Sequence, residues 1–357
     1  MKIALIAGKE LCRELKGRWA EIQLADPDLA SPYFHPEYFS AVAAVRKDVY
    51  CAVLEEGNRV VGFFPFQRRI FGIGHPVGGP LSDYQGILVD KNVEVNPTEL
   101  VKNCGLSIWL FDHLIVAQKE FHAFCSKMAE SFRLDLSKGY KAYVEERRKD
   151  GSMQINKLAR KEKMLARKVG PLRFVMQSND GTVLKQLMRW KSEQCIRTGG
   201  VDIFSFRWTV ELLERIHAVG EDAFGGRLSA LYAGDSLLAA HLGMRSRSVW
   251  HWWFPSYNRD YAKYSPGLIL LLKAAEAAES TGLRAIDLGK GADVYKQHFT
   301  NSAVPIGEGM VTSSFAPALI RKLRQKAEGW IRKSPLYVAA RFPGRIVRRL
   351  ERWYGFQ

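Results

Sequence analysis

Apolar positions recur at steps of three and four through Leu268, Leu271, Leu272, Ala275 and Ala278, which predicts a buried helix. Gly282 stops it as a C-terminal cap. Ala285-Ile286-Asp287-Leu288 predicts a short buried strand, Gly289-Lys290-Gly291 a turn, and Val294 to Phe299 the first turns of another helix. Ser265-Pro266-Gly267 opens the long helix. A helix start carrying Ser and Gly between two strands leaves backbone N–H groups free to meet an anion. The same pattern also describes a plain strand–helix–strand crossover with no ligand.

Elsewhere the pattern switches between helical and strand periods. Lys2 to Ile6 predicts a strand and Leu11 to Ala25 a helix ended by Pro27. Ser31-Pro32-Tyr33-Phe34-His35-Pro36 predicts an aromatic turn entering a helix, with His35 a turn residue. Val49 to Leu54 and Val60 to Arg68 form a hairpin across Gly57-Asn58. Residues 72–86 are a glycine-rich loop closed by Ile87-Leu88-Val89. Such a loop either lets backbone approach a ligand or is a long surface connection. Pro97 to Leu106 predicts a helix, Ser107 to His113 a strand, and Gln118 to Phe132 a partly helical stretch. Gly139 to Val169 predicts a basic helical seam carrying Lys157, Arg160, Lys161, Lys163, Arg167 and Lys168. That run is a solvated face or a phosphate contact.

The second half repeats this rhythm. Leu172 to Gln177 predicts a strand, then Thr182 to Thr198 and Trp208 to Val219 predict helices. A hairpin follows across Gly234-Asp235, then a strand holding Trp250, His251, Trp252, Trp253 and Phe254. The shared order implies a duplicated α+β unit, divided as 1–145 and 146–310, followed by a tail over 311–357.

Composition changes the picture in two places. The formal charge is +16, which suggests an anionic partner. Much of it sits in the tail, where Arg321, Lys322, Arg324, Arg345, Arg348 and Arg349 interleave with Trp330, Ile331, Ile346 and Trp353. A basic amphipathic helix of this kind suits an anionic membrane surface, or packs on protein. The five cysteines are scattered without C-x-x-C spacing, which argues against a disulfide framework and a zinc site. No metal is expected. The apolar run at the start is short for a signal peptide, and no run approaches a spanning helix. The expected place is the cytoplasm, peripheral at the inner membrane face if the tail binds there.

SPYFHPEYF, VGGPLSDYQG, QINKLARKEKMLARKVGPLRF, HWWFPSYNRDYAKYSPGLILL and IDLGKGADVYKQHF together resemble the GNAT-type acyltransferases of the CelD/BcsL group, named for an association with bacterial cellulose and exopolysaccharide formation. The likeness covers about residues 30 to 310 and extends to FemAB-like double-GNAT proteins. It implies two tandem GNAT-like domains, the acyl-CoA N-acyltransferase fold, with an acetyl-CoA or other acyl-CoA site in the second. Tyr264-Ser265-Pro266-Gly267-Leu268 stands where ordinary GNAT enzymes carry Q/R-x-x-G-x-G/A.

Acyl transfer needs a base, an oxyanion stabiliser and an acid for the leaving thiolate. His251 is the candidate base, or else an imidazole satisfied inside an aromatic wall. Tyr295 is the candidate acid and Lys296 the stabiliser of the carbonyl oxygen; the alternatives are a core aromatic and a surface lysine. Ser265, Gly267, Leu268 and Lys263 would hold the cofactor. Asp83 and Tyr84, after Gly78-Gly79-Pro80, resemble a FemAB-like loop that contacts the acceptor, and Trp253 and Asp287 would face it too, with Asp287 also expected to pair with Lys290 or Lys296. The implied activity is transfer of an acyl group, acetyl first, to an amine or hydroxyl of a sugar or polysaccharide precursor. FemAB-like transfer from aminoacyl-tRNA and a non-catalytic scaffold stay open. No DNA partner is expected.

Overall fold

The computed structural model describes residues 1–291, 294–313 and 356. The chain opens with β1 (Lys2–Ala7), α1 (Arg13–Ala25), α2 (Pro36–Val45), β2 (Val49–Glu56), β3 (Arg59–Arg68) and β4 (Ile73–His75). It continues through β5 (Leu88–Val89), α3 (Pro97–Asn103), β6 (Ile108–Ile115) and β7 (Cys125–Asp135) to α4 (Tyr140–Lys149) and α5 (Gln154–Lys168). The second run is β8 (Leu172–Val175), α6 (Gly181–Arg197), α7 (Arg207–Ala218), β9 (Phe224–Ala233), β10 (Ser236–Ser246) and β11 (Val249–Tyr257). It ends with α8 (Pro266–Ala278), β12 (Ala285–Lys290), α9 (Val294–Phe299) and β13 (Ser302–Thr312).

One mixed sheet of 13 strands joins both runs, in the order β1-β2-β3-β4-β6-β13-β7-β12-β11-β10-β9-β8, with β5 on β3. Both runs follow the order strand, two helices, three strands, helix, two strands; the first adds β5 before α3, and the second adds α9 before β13. Each run has one parallel pair spanned by a helix: β4 with β6 across α3, and β11 with β12 across α8. The last strand of each run crosses over. β7 pairs with β12, β13 pairs with β6, and the two lie antiparallel to each other in the middle. This is the mixed α+β fold that the repeated rhythm implies.

The crossing completes one reading. Gln118 to Phe132, expected to be partly helical, holds a 3₁₀ helix over Lys119–Phe124, but from Cys125 onward it is the strand β7. The partners of β7 lie far along the chain, at Ala285↔Asp135 and Ser302↔Arg133. Pairing at that distance leaves little trace in local periodicity. The glycine-rich loop also differs from a plain connection. It holds the short strand β4, and Val77, Leu81, Ser82, Tyr84 and Gln85 within it are buried.

Alternation along the second-half strands divides the side chains between two cores. On one face Leu242, Met244 and Phe254 pack with Leu187, Leu213 and Phe39. On the other, Trp250, Trp252 and Ile286 pack with Tyr143, Leu158, Ile269 and Leu270. α8 is buried on nearly every side, and Gly282 (φ +72°) closes its last turn as the spacing requires. The tail expected over 311–357 lies outside the described residues except for 311–313 and Phe356. Phe356 is buried beside Trp208, whose Nε1 donates to its carbonyl at 2.7 Å.

Candidate functional site

β11 and β12 run side by side for three residue pairs, Val249↔Ala285, Trp250↔Ile286 and His251↔Asp287. Beyond His251 and Asp287 they part, although both strands continue. On its other edge β11 holds one residue more than β10, because Leu242 faces Phe254 while Met244 faces His251. The extra residue makes a bulge at Trp252-Trp253. Gly243 permits it: a Cβ there would lie 2.3 Å from the His251 carbonyl. Two parallel strands that diverge beside a bulge leave an opening in the sheet, the kind of place where α/β sheets bind ligands.

His251 sits at the mouth of this opening with a carboxylate on either side. Its Nε2 is 2.8 Å from Asp83 Oδ2, and its Nδ1 is 3.7 Å from Asp287 Oδ1. Asp287 is fully buried and densely bonded. Tyr84 OH donates to it at 2.5 Å, Ser131 Oγ at 2.8 Å, Arg133 Nε at 2.6 Å and the Gly289 N–H at 2.8 Å. Burial opposes its charge, but Arg133 and His251 outweigh that and hold its carboxyl below the usual range. Burial, reinforced by Asp287, pushes the Tyr84 phenol well up, so Tyr84 is a neutral donor.

Asp83 also meets a second histidine, with His113 Nε2 3.6 Å from its Oδ1. His113 Nδ1 is 2.9 Å from Asp112, which Gln85 holds. Burial opposes the His113 charge, yet Asp112 and Asp83 leave its pKa raised. The edge of Tyr33 closes over His251 at 4.9 Å between ring centres.

Of the residues the sequence singled out, Asp83, Tyr84, His251 and Asp287 thus come together, from two distant parts of the chain. The expected pairing of Asp287 with Lys290 or Lys296 is not what is found. Its cation is Arg133, because register sets Arg133 directly opposite it on β7. Lys290 instead bonds Glu308 and the Asp112 carbonyl. Lys296 is buried, its amine donating to the Gly289 and Lys290 carbonyls at 3.0 and 2.8 Å. It thereby clamps the end of β12. Tyr295, like Leu268, is partly buried and packs against the core that contains Trp250 and Ile269. Trp253 lies by Tyr33 with ring centres 6.0 Å apart.

At the start of α8, Ser265 adopts a left-handed conformation (φ 57°, ψ 51°) and Pro266 follows at the first helical position. Leu268 and Ile269 N–H groups both bond the Ser265 carbonyl, whereas the Gly267 N–H has no backbone partner among the described residues. Lys161 on α5 donates to Ser265 Oγ at 2.8 Å, and Lys263 lies over the Tyr264 ring at 5.1 Å. A free N–H and two cations at a helix start fit a diphosphate. Among the described residues no cluster of His, Cys, Asp or Glu could hold a metal, and no helix is long and apolar enough to cross a membrane.

Sequence reasoning missed Ser131, Arg133, His113 and Gly289. Ser131 and Arg133 lie on β7, whose strand pairing is invisible locally. Gly289 has φ +74°, and a Cβ there would lie 3.1 Å from Asp83 Oδ2 and 3.7 Å from His251 Cε1. A glycine ending a buried strand was the one signal available for it.

Residues 152–297 match the family model described as an acetyltransferase (GNAT) domain. A comparison with curated protein sequences gives no match. Among solved structures, FemX is similar at a TM-score of 0.56 with 9% identity, over 90% of this chain and 99% of that one. The DUF2156 C-terminal domain of a chain described as a lysylphosphatidylglycerol synthetase, from Agrobacterium fabrum, is similar at a TM-score of 0.51 with 11% identity, over 86% and 94%. At such identity the likeness is one of fold. Through residues 152–297, the stretch that holds α8, His251 and Asp287, the chain carries a GNAT acetyltransferase domain and is an acyltransferase.

Proposed function

We propose that the protein moves an acyl group, acetyl first, from acyl-CoA to an amine or hydroxyl of a sugar or polysaccharide precursor. The observation that carries this reading is His251 held between Asp83 and Asp287 at the parting of β11 and β12. Asp83 is the outer member of the pair, its side chain 27% exposed against 1% for His251. Asp83 therefore meets the acceptor, and His251 behind it takes up the proton. Asp287, fixed by Arg133, Tyr84 and Ser131, stabilises the imidazolium that results.

Bound acyl-CoA would supply the thioester. Its diphosphate would rest on the Gly267 N–H, Ser265 and Leu268, with Lys161 and Lys263 beside it. Tyr295 is assigned the proton for the leaving thiolate. Lys296 reaches the acyl carbonyl only by leaving the end of β12, so we assign it chiefly to holding that turn. The donor then belongs to the second unit, 146–310, and the acceptor loop to the first, 1–145. The sugar acceptor rests on the resemblance to the CelD/BcsL group.

One observation favours a second reading. Lys157, Arg160, Lys163, Arg167 and Lys168 of α5 are exposed, on the helix that touches Ser265 through Lys161. FemX and the lysylphosphatidylglycerol synthetase domain share the fold, and a basic face beside the donor site also suits an aminoacyl-tRNA. Calorimetry separates the two. Micromolar acetyl-CoA binding supports the first; binding of charged tRNA alone overturns it. Mass spectrometry of surface polysaccharide, with and without the protein, then tests the acceptor.

A further inference from the structure

A cavity of about 550 Å³ opens on the same face of the sheet as His251, one step nearer the starts of β11 and β12. Val249 and Ala285 line it, and His251 and Asp287 are each two residues further along. Alternate residues of a strand share a face. The same holds on β7, where Asp135 stands opposite Ala285 and Arg133 opposite Asp287. Arg133 is therefore a common wall: it lines the cavity while its Nε bonds Asp287.

The cavity's charged groups are unevenly committed. Arg133 is matched by Asp287. Asp26 accepts the Asp28 N–H, and Asp135 accepts the Ser137 N–H. Arg247 and Arg284 line the cavity too, are exposed, and have no carboxylate partner among the described residues. Arg227 and Arg245, by contrast, both pair with Asp222. His35 adds a donor. Its Nδ1 accepts the Glu37 N–H at 3.2 Å, so in the neutral ring the proton is on Nε2. Burial first, and Arg247 and Lys16 with it, bring its pKa down to about 4, and the ring stacks on Phe224. It remains uncharged near neutral pH.

Resting on the acyltransferase reading, we propose that this cavity binds the anionic part of the acceptor, the phosphate or carboxylate of a charged sugar, on Arg247 and Arg284. The volume suits a ligand of one or two sugar rings. Two guanidinium forks match the geometry of a phosphate or carboxylate, which lone ammonium groups do not. Asp26 and Asp135 favour an acceptor that also carries an amine over one that is purely anionic. Arg133 then places the bound sugar beside the cluster that takes its proton.

Calorimetry tests this, with glucosamine 6-phosphate and glucosamine as probes and acetyl-CoA titrated separately. The wild type should prefer the phosphorylated sugar by roughly tenfold or more, as two charge-assisted contacts predict. The double variant Arg247→Gln, Arg284→Gln should lose that preference and keep its acetyl-CoA affinity and melting temperature. Both side chains are exposed, so the fold should tolerate the change. Equal binding of the two sugars, binding of neither, or a preference that survives in the variant overturns the proposal. If the wild type shows the preference but no acetyl-CoA binding, the site stands and the transferase reading fails.

Discussion

Asp83 Oδ2 and His251 Nε2 lie 2.8 Å apart, although 168 residues separate them in the chain. Asp83 comes from the glycine-rich loop of the first run, and His251 from the last pair before β11 leaves β12. The contact exists only because both runs share one sheet.

Replacing either partner should damage catalysis far more than donor binding. Asp83→Asn and His251→Gln should each lower kcat/KM by about 10²- to 10⁴-fold, the usual worth of a positioned acid–base group. Acetyl-CoA affinity should change less than about twofold. Steady-state kinetics with calorimetry reads both, and an undiminished kcat in either variant removes His251 and Asp83 from the chemistry.

Asp287 should dominate stability in acid. Its carboxyl is held below the ordinary value, so its contribution is fully present above the unfolded pKa of about 3.9 and is lost as pH falls through the lower folded value. Asp287→Asn leaves Arg133 largely buried without its anion, which costs about 3–5 kcal/mol. Thermal melts from pH 7 to pH 2 should show the variant less stable at neutral pH, with the difference shrinking toward acid. A constant difference contradicts the assignment.

His113 should act in the opposite sense. Its pKa is raised, so its contribution is complete below about 6.5 and disappears as pH climbs through the folded value. The wild type should therefore lose stability on going from pH 6 to pH 9, and His113→Gln should flatten that decline. Parallel curves for the two proteins count against a charged His113 between Asp112 and Asp83.

Gly289→Ala tests the end of β12. The left-handed backbone there costs an alanine about 1–2 kcal/mol. The new methyl also presses on the carboxylate of Asp83. We expect a modest fall in melting temperature and a larger, about tenfold or more, fall in kcat. A drop in stability with kcat intact shows that Asp83 can move without consequence.

The α8 helix and its flanking strands are legible in the amino-acid sequence alone. Their apolar spacing is local, and Gly282 ends the helix through its own backbone freedom. The two hairpins, the repeated order of elements, and His251 and Asp287 as polar residues in apolar strands are legible for the same reason, whereas Asp83 and Tyr84 stand out only through the resemblance of their loop to FemAB-like proteins. Periodicity, turn chemistry and composition act over a few residues, and so a single chain displays them.

The crossing of β7 and β13 belongs to the tertiary structure alone, and so does everything that depends on it. Arg133 meets Asp287, and Lys290 is diverted to Glu308, because one strand is inserted in a particular register between two others. A shift of one residue would turn Arg133 to the opposite face. Strand pairing of this kind is a contest among distant segments for the same backbone hydrogen bonds. Its outcome depends on how both cores pack at once, which no local pattern of side chains records.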